Sequence, residues 1–223
     1  MEAGSQAPGS GYPVQYSVDY PDRPLNRVTT LLRIFAVIPI MIVLQTVSGA
    51  SVVAAGGWGH AAYGTNARYV VVGAGGLLFL APLLMILFRQ KYPRWWFDWN
   101  LELQRFTNRV VVYLALMDDR YPSTDDHQAV HLEYRYPDAS RDLNRWLPLV
   151  KWLLAIPHLF VLLFLWTAAV VVVIIAWFAI LFTGRYPRGM FDFVEGVLRW
   201  SQRVIAYAFL LVTDVYPPFS LAA

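Results

Sequence analysis

The chain repeats itself. Leu25-Asn26-Arg27 opens an apolar run containing Ile38-Pro39, and Leu143-Asn144-Arg145 opens another containing Ile156-Pro157. Leu87-Phe88 leads into Tyr92-Pro93-Arg94 and Phe97-Asp98, as Leu181-Phe182 leads into Tyr186-Pro187-Arg188 and Phe191-Asp192. Arg105, Arg109 and Tyr113 answer to Arg199, Arg203 and Tyr207 at one constant offset. A recurrence that keeps charged and proline positions over such a length is the mark of tandem duplication. The fold to expect is therefore two copies of one unit.

The solvent for that fold follows from composition. Of 223 residues 57% are hydrophobic and 15% charged, where a soluble domain carries about 25% charged residues. Lipid is then the main surroundings. The chain has no cysteine, which excludes disulfides, thiolate metal sites, iron–sulfur clusters and cysteine nucleophiles. A net charge of +3 is too small to imply nucleic acid. Residues 1–12 are polar and rich in small residues, the composition of a disordered tail. The first apolar run lacks a small-residue cleavage site and is expected to remain in the mature protein.

Crossing hydrocarbon takes roughly 20 mostly apolar helical residues. Residues 28–47 and 69–88 meet that requirement in the first half. In the second, the long apolar stretch divides into spans at 147–164 and 167–182, joined by a tight turn near Trp166-Thr167. A single long helix is the competing reading, set aside because the repeat asks for two segments. Each half then closes with a segment of helical periodicity, 97–117 and 191–212, whose polar face carries two arginines. Two buried arginines per helix cost several kcal/mol in lipid, so these are read as amphipathic helices lying at the interface.

Nearly all basic residues flank the same ends of these spans, with Arg68 the exception. The positive-inside rule puts both termini and the central connection in the cytoplasm. Two spans per unit make the halves parallel repeats. Alternating runs, Val14–Tyr20 and Val130–Tyr136, read as short cytoplasmic strands that pair between halves. The organisation expected is an all-α membrane protein with a little β-structure. It comprises a tail (1–12), repeat 1 (13–122), a linker (123–129) and repeat 2 (130–223).

The string Leu181-Phe182-Thr183-Gly184-Arg185-Tyr186-Pro187-Arg188-Gly189-Met190-Phe191-Asp192-Phe193 brings in a resemblance. With Leu-Asn-Arg at 143–145, Ile156-Pro157-His158, Leu198-Arg199-Trp200 and Tyr216-Pro217-Pro218-Phe219, it resembles a family of bacterial integral membrane proteins known only as domain of unknown function 4389. The similarity is best from Leu143 to Leu221, and the first half looks like a diverged copy. It implies a multi-pass protein of a bacterial, often actinobacterial, inner membrane, and it brings no activity or catalytic residues.

Candidate site residues come from the repeat. Asp98, Arg105 and Arg109, with Asp192, Arg199 and Arg203, form a stripe on each closing helix. Guanidinium groups pair bidentately with lipid phosphates or an acidic partner; a solvated polar face is the plainer alternative. Arg33 and Lys151 each precede a proline by six residues and are expected to snorkel to the headgroups. Pro39 and Pro157 should kink their helices. His158 alone among four histidines lies in a span, so haem bridging lacks a second ligand. His127 and His131 fall at a loop-to-strand junction, and no metal or other cofactor is expected. No nucleophile–base pair or phosphate loop appears. The expected function is a non-catalytic accessory or scaffold subunit binding anionic lipid and partner membrane proteins. The alternative is a transport or lipid-translocation component with a site between the repeats, lined by Thr167, Thr183, His158 and Asn144.

Overall fold

The computed structural model describes residues 12–48, 80–124, 126 and 128–222. The expected tail up to residue 11, the Gly/Ala-rich loop with Ala50, Ala54, Ala55 and His60, most of the second expected span with Gly73, Gly75 and Gly76, and His127 lie outside the described residues.

The described chain is mostly helical, with one small sheet. Strand β1 (Val14–Val18) pairs antiparallel with β2 (Val130–Tyr134), Val14 opposite Tyr134 and Val18 opposite Val130. The alternation expected from sequence sets the faces: Val14, Tyr16, Val18, Val130, Leu132 and Tyr134 are buried, whereas Gln15, Ser17, His131 and Glu133 face out. Two strands alone are marginal in water. This pair is held because its apolar face packs on the two closing helices.

Helix α1 (Arg27–Ala36) begins at Asn26, whose Oδ1 accepts from the amides of Val28 and Thr29. It leads into α2 (Ile38–Ser48) through a 54° bend. After α3 (Leu80–Arg89) and α4 (Arg94–Leu114) come β2, α5 (Pro148–Leu154), α6 (Ile156–Thr183) and α7 (Arg188–Val204). A π-helical turn, Ile205–Phe209, follows α7 directly.

Two expectations need correction. No turn interrupts the chain at Trp166-Thr167: α6 runs through it unbroken. Neither glycine nor proline occurs between Pro157 and Gly184, and the Thr167 hydroxyl is satisfied on Leu163 O at 2.8 Å. The break falls instead at Ala155, two residues before Pro157, as α1 breaks from α2 at Val37, two residues before Pro39. Proline lacks the amide that would bond four residues back, and its ring crowds that carbonyl. Both apolar runs therefore break just before their prolines, and the residues expected to turn back near Trp166-Thr167 continue as one helix.

The second correction concerns the closing helices. They are core elements between the sheet and the long apolar helices, α4 against β2 and α2, α7 against β1 and α6. Trp200 and Ser201 of α7 reach His158 and Trp166 of α6. Almost every residue from Val194 to Val204 is buried or half-buried, so α7 has no broad face turned to water.

By length and composition α6 suffices to cross a membrane, with a mean hydropathy of 3.0 over its best window. Its 28 residues span about 42 Å at the α-helical rise. Only 17% of that window is buried in the protein. Phe160, Leu163, Phe164, Ile174, Ile175, Phe178 and Phe182 face outward. Among the described residues the bent α1–α2 pair passes the same test if counted as one broken segment.

Candidate functional site

The sheet register explains two of the arginines. Asp19 N donates to Ala129 O at 2.9 Å and Arg135 N to Pro13 O at 3.0 Å, so odd-numbered residues form the hydrogen-bonded pairs. Tyr16 and Leu132 therefore stand opposite each other with their main-chain groups pointing out to the two edges. Arg199 Nε donates to Tyr16 O at 2.9 Å, and Arg105 Nε to Leu132 O at 2.9 Å. Each is steadied by a carboxylate, Glu195 for Arg199 and Glu102 (2.6 Å) for Arg105. Glu195 also accepts from Val18 N at 3.4 Å. An open strand edge is a template for wrong pairing, and these side chains cover both edges. Each arginine grips the strand contributed by the opposite half of the sequence.

Arg109 and Arg203 are buried one turn farther on. Arg109 Nη1 donates to Ser123 O and Thr124 O at 2.8 and 3.0 Å. Arg203 donates to Ser220 O at 3.3 Å and Ala222 O at 2.9 Å. Burial, aided by neighbouring Arg199, pushes the Arg203 guanidinium below its usual pKa. The solvated arginine face expected here is absent because main-chain carbonyls take these donors. Asp98 and Asp192 stay apart from the arginines, turned outward to Arg94 (3.9 Å) and Arg188 (3.2 Å).

Arg33 and Lys151 do not snorkel; both point into the protein. Arg33 is 1% exposed, donates to Tyr113 O and Asp118 O at 2.7 and 2.8 Å, and lies 4.4 Å over the Tyr113 ring. Lys151 is fully buried, donates to Thr213 O at 2.7 Å, pairs with Asp214 at 2.6 Å, and lies 5.1 Å from the Tyr207 ring centre. The acceptors are at hand because the chain beyond each closing helix returns beside these cations, Asp118 by Arg33 and Thr213 with Asp214 by Lys151. Between the halves, Gln202 Nε2 donates to Asn108 Oδ1 at 3.1 Å, and Tyr134 OH donates to Gln202 Oε1 at 2.7 Å. Burial raises the phenols of Tyr16 and Tyr134 well above their ordinary pKa.

The residues expected to line a transport site each have a partner close by. Thr167 and Thr183 bond their own helix at Leu163 O and Ala179 O, and Asn144 accepts from Trp146 N. His158 takes a hydrogen bond from Trp200 Nε1 at 3.2 Å and stacks on Phe219 at 4.0 Å. His131 sits 2.9 Å from Asp19.

Two clefts were missed in the sequence. The larger, about 710 Å³, is lined by Lys91, Tyr92, Pro93, Arg135, Tyr136 and Asp138, among others. The smaller, about 330 Å³, is lined by Tyr20, Asp22, Arg23, Leu25, Arg185 and Tyr186, among others. In each, a tyrosine hydroxyl from one half bonds a Tyr-Pro carbonyl of the other: Tyr136 OH to Tyr92 O at 2.6 Å, Tyr20 OH to Tyr186 O at 2.5 Å. Four of the chain's seven Tyr-Pro dipeptides build these clefts, but they read as turn punctuation until the cross-half bonds are seen.

Only part of the chain has a known counterpart. Residues 146–220 match, in one copy, the family model described as Domain of unknown function (DUF4389). That is about a third of the chain, and it supports kinship of the second half with the family. No curated protein and no solved structure matches the chain.

Proposed function

We propose that the protein is a multi-pass component of a bacterial inner membrane, built from two copies of one unit, and acts as a non-catalytic scaffold for partner membrane proteins. The observation that carries this reading is the outward apolar surface of α6, where large side chains such as Phe160, Leu163, Phe164, Ile174, Phe178 and Phe182 are left exposed. The bent α1–α2 pair adds to that surface through Leu31, Leu32, Phe35, Ile38 and Ile42. The polar outer face of the sheet and the basic residues at 89–94 and 185–188 favour the opposite, cytoplasmic side for both termini. The reciprocal bonds of Arg105 and Arg199, and of Tyr136 and Tyr20, support duplication. Inward-turned cations support scaffolding over transport, since a solute path needs ionisable groups free to exchange partners.

The absence of native cysteine makes the test direct. Single-cysteine variants Ser17→Cys and Phe164→Cys are labelled with a membrane-impermeant maleimide in intact cells and in inverted vesicles. Expected are retention in the membrane through an alkaline carbonate wash, labelling of Ser17→Cys in inverted vesicles only, and no labelling of Phe164→Cys in either. Release by carbonate overturns the membrane reading, and labelling of Ser17→Cys from outside overturns the cytoplasmic placement of the termini. Gentle detergent extraction should bring one recurring integral membrane protein along; a lone monodisperse species refutes scaffolding.

A further inference from the structure

We propose that the two Tyr-Pro clefts each hold the headgroup of an amine-bearing phospholipid. Lys91 and Arg185 take its phosphate, and Asp138 and Asp22 its ammonium. The inference rests on the membrane reading above, which sets the ends of α3 and α6 at headgroup level.

Both clefts are assembled in the same way. One half of the sequence supplies a Tyr-Pro-Asp turn (Tyr136-Pro137-Asp138 or Tyr20-Pro21-Asp22). The other supplies a cation followed by Tyr-Pro (Lys91-Tyr92-Pro93 or Arg185-Tyr186-Pro187). The walls are fixed by the cross-half tyrosine bonds and by Arg94 and Arg188, which lie 4.9 and 4.4 Å over the Tyr136 and Tyr20 rings. A pocket so braced is ready for a ligand at little ordering cost.

The charges inside it are not spent on one another. Among the described residues the side chains of Lys91, Arg185 and Asp22 make no hydrogen bond or ion pair. Asp138 holds Ser140 through one oxygen and faces Arg141 at 3.8 Å through the other. Arg135 and Asp142 add one charge of each sign to the larger cleft, and Arg23, paired with Asp119, borders the smaller.

Cation and carboxylate side by side select the ligand. A lipid with only negative charge meets Asp22 or Asp138 with repulsion. A quaternary choline has no N–H to give a carboxylate, whereas a primary ammonium donates three times. Acyl chains have a path along Phe88 and Phe182, which end α3 and α6 at 74% and 79% exposure.

The test offers purified full-length protein equal amounts of phosphatidylethanolamine, phosphatidylglycerol and phosphatidylcholine in mixed micelles, and quantifies retained lipid by mass spectrometry. The wild type is expected to retain phosphatidylethanolamine over the other two. Lys91→Gln with Arg185→Gln should lower that retention about fivefold. Asp22→Asn with Asp138→Asn should erase the preference over phosphatidylglycerol. Equal retention of all three lipids by the wild type overturns the assignment without needing any variant to fold. Carbonate-wash retention separates the outcomes: a protein that stays in the membrane but shows no lipid preference loses this inference alone.

Discussion

The two halves bury the same cation in different ways. In the first half Arg33 rests on two carbonyls and a tyrosine face, and Asp119 pairs with Arg23 instead. In the second half Lys151 rests on one carbonyl, and Asp214, the residue corresponding to Asp119, turns inward to pair with it. A guanidinium spreads its charge and is weakly hydrated, so carbonyl dipoles suffice. An ammonium is a compact, strongly hydrated charge and needs a counter-ion when buried. The chain between the closing helix and that aspartate differs accordingly. Matched positions run 94 apart up to Tyr113 and Tyr207, then 95 apart at Leu116 and Leu211, both with positive φ. The extra residue is absorbed in the π-helical turn Ile205–Phe209, the form a one-residue insertion takes inside a helix.

The comparison breaks most readily at the ion pair. Asp214→Asn leaves Lys151 buried without its counter-charge and should cost about 3 kcal/mol or more. Asp119→Asn removes a pair whose arginine is mostly exposed and leaves Arg33 its two carbonyls, so it should cost less than Asp214→Asn. The unfolding midpoints of both variants in mild detergent, followed by tryptophan fluorescence, measure the contrast. Equal losses would mean that the two aspartates serve the same role and that the inward turn of Asp214 has been misassigned.

The edge-covering arginines come next. Arg199 bonds Tyr16 O and Leu221 O and pairs with Glu195; Arg105 bonds Leu132 O and pairs with Glu102. Arg199→Gln should therefore cost about 2 kcal/mol and Arg105→Gln about 1 kcal/mol. Concentration-dependent aggregation of either variant, read by light scattering, would sharpen the assignment to strand-edge protection. A larger loss for Arg105→Gln would refute it. A smaller contrast sits at Gly196, which corresponds to Glu102. A Cβ on Gly196 would stand 2.9 Å from Leu221 Cβ and 3.1 Å from Leu221 O, because the segment ending at Leu221 crosses α7 there. Gly196→Ala should cost about 1 to 2 kcal/mol, and Glu102→Ala, on an exposed surface, about 0.5 kcal/mol or less. Equal melting shifts would show that the segment is free to move aside.

The sequence made some of this legible and hid the rest for physical reasons. Strands and their pairing follow from the strict alternation of Val14, Tyr16 and Val18 with polar neighbours, and the helix breaks at Val37 and Ala155 from Pro39 and Pro157, because both are local signals. The course of α6 was hidden because a wholly apolar run has no periodic face to mark where a turn falls. The arginine stripes misled for a related reason: Arg105, Arg109, Arg199 and Arg203 have the spacing of a water-facing surface. What turns them inward lies elsewhere in the chain: Arg199 and Arg105 bond the strand carbonyls of Tyr16 and Leu132, and Arg109 and Arg203 bond those of Ser123, Thr124, Ser220 and Ala222. Asp214 was overlooked because nothing in its neighbourhood signals a partner 63 residues earlier.

The smallest effect tests the halves at one backbone angle. Gly184 ends α6 in the left-handed region at φ +74°, where its amide bonds Ile180 O at 2.7 Å. Gln90, its counterpart, ends α3 in the same region at φ +47°, with its amide on Ile86 O at 3.2 Å. Both helices must stop and turn into a Tyr-Pro junction, so both use the conformation, and only one has the residue that adopts it without strain. Gly184→Ala should cost about 1 kcal/mol. Gln90→Gly relieves the strain, worth about 0.5 to 1 kcal/mol, but gives up the 3.1 Å bond from Arg145 to Gln90 Oε1, an exposed contact worth less. A small rise in melting temperature for Gln90→Gly beside a fall for Gly184→Ala is the expected pair. If Gln90→Gly lowers the melting temperature, the Arg145 contact outweighs the strained angle, and the two helix ends differ in kind.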